Sequence, residues 1–221
     1  MIKTPIFITN FKNCEQSTGK NALELAKIHE RVALETGKTI GICVSACDIF
    51  RIAQEVSIPV FAQHVDPIDF GSFTGQILPQ NIKNSGAIGT LLNHSERRLS
   101  NEVLKDSITY AQKASLARIV CAESPEEVSQ FSEFDPDFLA FEPPELIGKT
   151  NVSVSSEKPT SIKESVALSQ GIPLLVGAGI NSPKDIKVAM SLGANGFLVA
   201  TAIIKSPNPE ESLKNFVSVM E

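Results

Sequence analysis

The sequence predicts an α/β fold, a closed (β/α)8 barrel of eight parallel strands with outer helices, and three observations predict it. Eight short apolar runs recur along the chain. Amphipathic, helix-like stretches separate them. Three helix starts share one capping grammar, and their spacing fits a unit of one-eighth of the chain.

The first run is Ile6-Phe7-Ile8, after which Leu25, Ile28 and Val32 fall at helical spacing. Ile40-Gly41-Ile42-Cys43-Val44 and Val60-Phe61-Ala62 come next, then Ala87-Ile88-Gly89-Thr90-Leu91-Leu92 and Ala117-Arg118-Ile119-Val120-Cys121. The series closes with Phe138-Leu139-Ala140-Phe141, Pro173-Leu174-Leu175-Val176 and Gly196-Phe197-Leu198-Val199. Each is too short for a helix and is β-rich. A last helix reads from Leu213, Phe216, Val217 and Met220 at i, i+3, i+4, i+7.

Helices start at Ser124-Pro125-Glu126-Glu127, Ser182-Pro183-Lys184-Asp185 and Asn208-Pro209-Glu210-Glu211. Each places an oxygen-bearing cap first, then proline where its missing N–H costs nothing, then an acid near the positive end of the helix dipole. The starts are 58 and 26 residues apart. Eight equal units would be about 28 residues each, so these gaps are near two units and one. Strands alternating with helices imply right-handed crossovers and a parallel sheet. An open doubly wound sheet usually has fewer units and wants G-x-G-x-x-G at its first helix. After the first run stands only Thr9-Asn10-Phe11-Lys12.

The 221 residues fit one domain spanning 1–221. The apolar share of 42% rises to about 48% when the 13 glycines are counted, which is ordinary for a globular chain and excludes disorder. Twenty basic against 25 acidic residues, with no basic block, one Tyr and no Trp, provide no footprint for nucleic acid. Four dispersed cysteines and three scattered histidines make neither a disulfide framework nor a zinc cluster. No run approaches the roughly 20 apolar residues of a membrane span, and no secretory signal is read, so a reduced cytoplasmic protein is expected.

In such a barrel, chemistry sits where strands end and βα loops begin. Asn10 and Lys12 follow the first run in register with Ile6 and Ile8, so both are expected at the barrel mouth, the Lys as a fixed charge for an anion. After the fourth run, His94 stands in Asn93-His94-Ser95-Glu96-Arg97-Arg98, where its neighbours can set its tautomer for proton handling. His29 and His64 are read as structural. Glu142 shares a strand face with Phe138 and Ala140; an inward carboxylate beside apolar walls suits a base. Pro143-Pro144 then open a loop running to Gly148, the pattern expected of a hinged lid. Gly148-Lys149-Thr150 is no P-loop, since Pro143 occupies the place of its first glycine. The small residues Gly177, Gly179, Ala200 and Thr201 end the last two units, where backbone amides of these barrels often hold a phosphate.

Together these segments resemble the triosephosphate isomerase family in its compact archaeal-type form, along the whole chain. Asn10-Phe11-Lys12, Leu91-Leu92-Asn93-His94-Ser95-Glu96-Arg97-Arg98 and Ala140-Phe141-Glu142-Pro143 carry the resemblance. So do Pro144-Glu145-Leu146-Ile147-Gly148, Ala62-Gln63-His64-Val65-Asp66 and Gly71-Ser72-Phe73-Thr74-Gly75. It implies an intramolecular aldose–ketose isomerase of glycolysis and gluconeogenesis that uses no metal or cofactor. Glu142 would be the general base, His94 the electrophile and Lys12 the cation for the enediolate and phosphate. The family is the standing example of a glutamate base paired with a neutral histidine, and that pairing is taken from it.

The resemblance further implies that substrate is bound by Asn10, Phe11, Lys12, Ile147, Gly148, Gly177, Gly179, Ala200 and Thr201, and that the chain forms a homo-oligomer, dimer or tetramer. Phe11 stands where Trp is usual, on the helix-facing side. Lys149-Thr150-Asn151 and Phe73 also depart from the short-form pattern. A non-catalytic sugar-phosphate-binding barrel should lack Lys12, His94 or Glu142, and all three are present. Another phosphate-binding barrel enzyme would want a Schiff-base lysine or metal ligands.

Overall fold

The computed structural model describes residues 2–147 and 152–220. Eight strands close a parallel barrel in sequence order. They are β1 (Ile6–Asn10), β2 (Thr39–Val44), β3 (Val60–Ala62), β4 (Gly89–Leu92), β5 (Ala117–Ala122), β6 (Phe138–Phe141), β7 (Leu174–Val176) and β8 (Gly196–Val199). The ring shuts between β1 and β8, with Ile8 beside Leu198 and Thr9 beside Val199.

Ten helices are described around it: α1 (Gly19–Thr36), α2 (Ala46–Ala53), α3 (Pro79–Asn84), α4 (Asn101–Lys113), α5 (Pro125–Ser132), α6 (Val154–Glu157), α7 (Pro159–Leu168), α8 (Pro183–Ser191), α9 (Thr201–Ile204) and α10 (Pro209–Val217). The three cap-and-proline starts open α5, α8 and α10, where the side chains of Ser124, Ser182 and Asn208 each accept the third helical N–H. No described helix is long and apolar enough to cross a membrane.

Two apolar layers follow from the period of two. Inside the barrel lie Ile6, Ile8, Phe61, Leu91, Ile119, Phe138, Ala140, Leu175 and Leu198, with Cys43 and Cys121. The outward set, including Phe7, Phe11, Val120, Leu139, Phe141 and Phe197, packs under the helices. Each fully buried Phe or Ile contributes about 1.5–3 kcal/mol relative to exposure. The inward set seals the floor, so the space above it is the only part of the barrel axis that a ligand entering from the mouth can use.

Five strands, β1, β2, β4, β5 and β7, differ from the expected runs by one or two residues at one end, and two of these differences have a direct cause. β1 continues two residues past Ile8 because Thr9, though polar, is buried with a partner: His29 Nε2 accepts from its hydroxyl at 2.7 Å, while His29 Nδ1 donates to the Leu25 carbonyl. β7 begins at Leu174 because Pro173 has no N–H to give the ladder.

Candidate active site at the mouth of the barrel

Glu142 is the first residue past β6, and its backbone N–H donates to the Ala122 carbonyl at 2.9 Å, extending the strand by one bond. The alternation that buries Phe138 and Ala140 therefore aims Glu142 up the barrel axis, where it is 6% exposed. Its Oε2 accepts from the Cys121 thiol at 3.2 Å. Burial, and then the charge of Glu142, push that thiol well above its usual range, so Cys121 acts as a neutral donor. Gly177 backs the carboxylate: a Cβ there would lie 2.5 Å from Oε1 and 2.7 Å from Cγ.

His94 follows β4 and Asn93, which takes a left-handed φ of 60° that Asn tolerates. The Asn93 amide donates to the Cys121 carbonyl at 3.0 Å and accepts from the Leu99 N–H at 2.9 Å, pinning the turn to β5. His94 then caps a 3-10 turn, Ser95–Arg97, its Nδ1 accepting from the Glu96 N–H at 3.2 Å. An Nδ1 that accepts an amide proton carries none, which assigns the neutral Nε2–H tautomer. Nε2 points at Glu142, 3.7 Å from Oε2. That exceeds hydrogen-bond length, so the imidazole and the carboxylate face one spot without being engaged with each other.

Lys12 reaches the same spot by a different route from the one expected. The β1 alternation stops at Asn10, and Lys12 adopts φ 50° in a turn closed by its own N–H on Asn10 Oδ1 at 3.1 Å. Gln63 donates to the Lys12 carbonyl at 2.9 Å. The ammonium lies 2.8 Å from Glu96 Oε1 with its side chain 19% exposed. One residue thus touches both neighbours: the Glu96 amide orients His94, and its carboxylate holds Lys12.

These groups line one cleft. Asn10, Lys12, His94 and Glu142 line it together with Ile147, Gly179, Ala200 and Thr201. Ala178 and Gly179 both take left-handed φ, 66° and 68°, so their turn bends sharply along the wall. α9 begins at Thr201, and the first amides of a helix lack intrahelical acceptors. This end of the cleft therefore suits an anion held by backbone N–H groups.

Two expected binding positions, Phe11 and Gly177, stand beside the cleft rather than along it. Phe11 is fully buried in the layer between barrel and helices, its ring 5.4 Å from that of His29, so its side chain does not line the cleft. Residues on that face of β1 point away from the mouth. Gly177 bounds the carboxylate rather than the cleft. Gly148 and the Lys149-Thr150-Asn151 departure lie outside the described residues. Asn181, Cys121 and Glu96 were not singled out in the sequence, yet Asn181 lines the cleft and the others orient its reactive groups. A signal existed for Cys121, which follows Ile119 on the inward face of its strand.

His64 is buried, with Nε2 3.0 Å from Asp66 Oδ1. Among the described residues, no group of three or more His, Cys, Asp or Glu is arranged to hold a metal.

The fold and cleft define a class: a (β/α)8 barrel with a carboxylate, an imidazole and a lysine gathered at the mouth, beside the turns that follow β7 and β8. A sequence model of the family described as triosephosphate isomerase matches residues 5–220. A triosephosphate isomerase of Methanobacterium bryantii is 44% identical over 98% of this chain and 97% of its own length. One from Saccharolobus solfataricus is 43% identical over 98% of this chain and 96% of its own. The crystal structure of triosephosphate isomerase from Bartonella henselae superposes with a TM-score of 0.69 at 22% identity, covering 90% of this chain and 93% of that one, which shows the shared fold. The chain belongs to the triosephosphate isomerase family.

Proposed function

We propose that this protein interconverts dihydroxyacetone phosphate and D-glyceraldehyde 3-phosphate, a step of glycolysis and gluconeogenesis, through an enediol(ate). The single observation that carries the reading is the 3.7 Å approach of His94 Nε2 to Glu142 Oε2 beside the Lys12 ammonium. Glu142 takes the proton from C1 of dihydroxyacetone phosphate while His94, through Nε2–H, polarises the C2 carbonyl. Proton exchange between the two oxygens moves the carbonyl to C1, and Glu142 returns its proton to C2. Carbon and hydrogen balance within one substrate, so the route draws on no redox partner, metal or organic cofactor.

Lys12 and Asn10 hold the oxygens that gain charge, which is the stage at which fixed donors lower the barrier most. The net charge of −5 means the molecule as a whole does not attract a dianion. Capture then falls to Lys12 and to the amides near Gly179, Ala200 and Thr201, with Ile147 closing the apolar side. Excluding water there protects the enediolate from losing its phosphate.

The same family reading supports one domain spanning the chain, a cytoplasmic location and a homo-oligomer, dimer or tetramer. The third βα loop favours assembly, because it presents Phe70, 71% exposed, and Phe73, 42% exposed.

A coupled assay with glyceraldehyde 3-phosphate tests the reaction. Glu142→Gln should retain the fold and lose about 10²–10⁴ in kcat. Undiminished turnover in that variant would sink the mechanism, and phosphate binding without turnover in the wild type would leave a sugar-phosphate-binding barrel.

A further inference from the structure

The amide-rich wall of the cleft is itself strained. Ala178 holds a left-handed φ of 66° although it has a Cβ, and such residues persist only where their surroundings over-determine them. The surroundings here are a separate segment, residues 152–155. The Val154 N–H donates to the Ala178 carbonyl at 3.2 Å, and the Asn181 amide donates to the Gly179 carbonyl at 2.7 Å and to that of Val152 at 3.3 Å. A Cβ on Gly179 would collide with the Val152 carbonyl, which shows how closely the two backbones pack.

Asp185, in the first turn of α8, joins these pieces. Its Oδ2 accepts from the N–H groups of Asn181 (3.1 Å) and Ser182 (2.9 Å) and from the Ser182 hydroxyl (2.8 Å). Those bonds suffice for the helix, since a capping box asks its third residue only to reach back to the cap. Oδ1 is left over, and it accepts from the Ser153 hydroxyl at 2.6 Å. Ser153 is 3% exposed. Its neighbour Ser155 donates to the Asp185 carbonyl at 2.9 Å. A buried hydroxyl on a carboxylate makes one of the stronger hydrogen bonds available to a side chain.

We propose that Asp185 is a positioning residue for the phosphate end of the substrate: its carboxylate ties the 152–156 segment to the Asn181–Ser182 turn and so holds Ala178 and Gly179 in place along the cleft. The inference rests on the reading of that wall as the phosphate end. Asp185 itself touches no substrate atom. It acts through the turn, and a turn that is free to relax binds the ligand less tightly while leaving Glu142 and His94 as they were. The effect therefore belongs mainly in KM and in phosphate affinity.

Ser153→Ala removes the inter-segment bond together with the N-cap of α6 and leaves Ser182 and Asp185 capping α8, whereas Asp185→Asn leaves the α6 cap in place, so the pair separates the two effects. Ser153→Ala should raise KM for glyceraldehyde 3-phosphate about tenfold, with kcat changed by less than about threefold. Competitive inhibition by inorganic phosphate should weaken by a similar factor. Asp185→Asn should do the same, the double variant should add little, and Ser153→Thr should restore the wild-type values. Asn208→Ala, which removes the cap of α10, serves as a control: it lowers Tm without moving KM.

A fall in Tm in Ser153→Ala and Asp185→Asn with unchanged KM and unchanged phosphate inhibition would overturn the proposal. Wild-type turnover in the same assay tests the functional reading separately. If turnover is absent, phosphate titration followed by chemical-shift change still decides between a clamped and a relaxed wall. A wild type that also binds no phosphate overturns both.

Discussion

Gly177 and Glu142 share one corner of the barrel mouth, with no room for a single added carbon between them. A Cβ at position 177 would sit 2.5 Å from Oε1, 2.7 Å from Cγ and 2.9 Å from Cδ of the glutamate. The left-handed region plays no part here, so alanine suits the backbone and only the carboxylate has to yield. Gly177→Ala should therefore keep its fold and circular dichroism while kcat falls about 10²-fold, since displacing a base by an ångström costs on that order. Wild-type kcat in a folded Gly177→Ala protein would show that the carboxylate position is not set by this contact.

A second test concerns Glu96, whose two ends serve two neighbours. Its amide orients His94, and its carboxylate lies 2.8 Å from the Lys12 ammonium. Glu96→Gln keeps the amide and the shape but removes the charge that fixes Lys12. The side chain is 58% exposed, so solvent screens part of the attraction and the loss is modest. The expected result is a fall in kcat/KM of about tenfold, read from progress curves in both reaction directions. Both directions must fall by the same factor, because the ratio of the two kcat/KM values is the equilibrium constant; an unchanged kcat/KM in a folded Glu96→Gln protein would contradict a role through Lys12.

The barrel was legible because parallel strands buried on both faces read as uninterrupted apolar runs, as in Ile40–Val44 and Phe138–Phe141. Helix starts were legible through proline, which tolerates few other places. Glu142 was legible as well, because the strand period reaches one residue past β6. Beyond the strand ends the period stops carrying information. Lys12 is aimed by a left-handed turn and Asn181 by hydrogen bonds to Gly179 and Val152, and neither leaves a spacing to read. The Phe11 side chain lies under the helices, as its helix-facing place in the sequence implies, and does not share the cleft with Asn10 and Lys12. The contact of Cys121 with Glu142 depends on two strands being neighbours, which the spacing of the cysteines does not encode.

The pH dependence of stability should show His29. Burial lowers its pKa to about 4, against 6.5 for the free side chain, with the Leu25 carbonyl opposing only in part. A group whose folded pKa is depressed leaves stability intact above the unfolded value. As pH falls from about 6.5 to about 4, the unfolded chain takes up a proton that the folded chain refuses, so stability drops by about 1.4 kcal/mol per pH unit, some 3 kcal/mol in all. Below about 4 this contribution levels off. Urea titrations across that window should show the slope in the wild type and lose it in His29→Gln. An equal slope in both proteins would assign the acid sensitivity to other groups.

The third βα loop exposes aromatic surface between anchored ends. Its base is closed by the Asp66 N–H on the Ile77 carbonyl at 2.9 Å and by the Ile77 N–H on Asp66 Oδ2 at 2.6 Å. His64 and Arg97 both hold Asp66 Oδ1, at 3.0 and 3.2 Å. Those bonds hold Asp66 below the usual carboxylate range against the opposing effect of burial. Between these anchors Phe70 and Phe73 stand toward solvent, the latter with its ring over Gly71. A loop ordered beforehand loses little entropy when a second copy covers it, and aromatic side chains are the usual anchors of such contacts. The double variant Phe70→Ser, Phe73→Ser should therefore shift the mass measured by light scattering to a smaller species, with subunit affinity weakened by at least about a hundredfold. The anchors at Asp66 remain, so the variant should stay folded. A wild type that is monomeric at micromolar concentration, or a double variant of unchanged mass, would remove this loop from the interface.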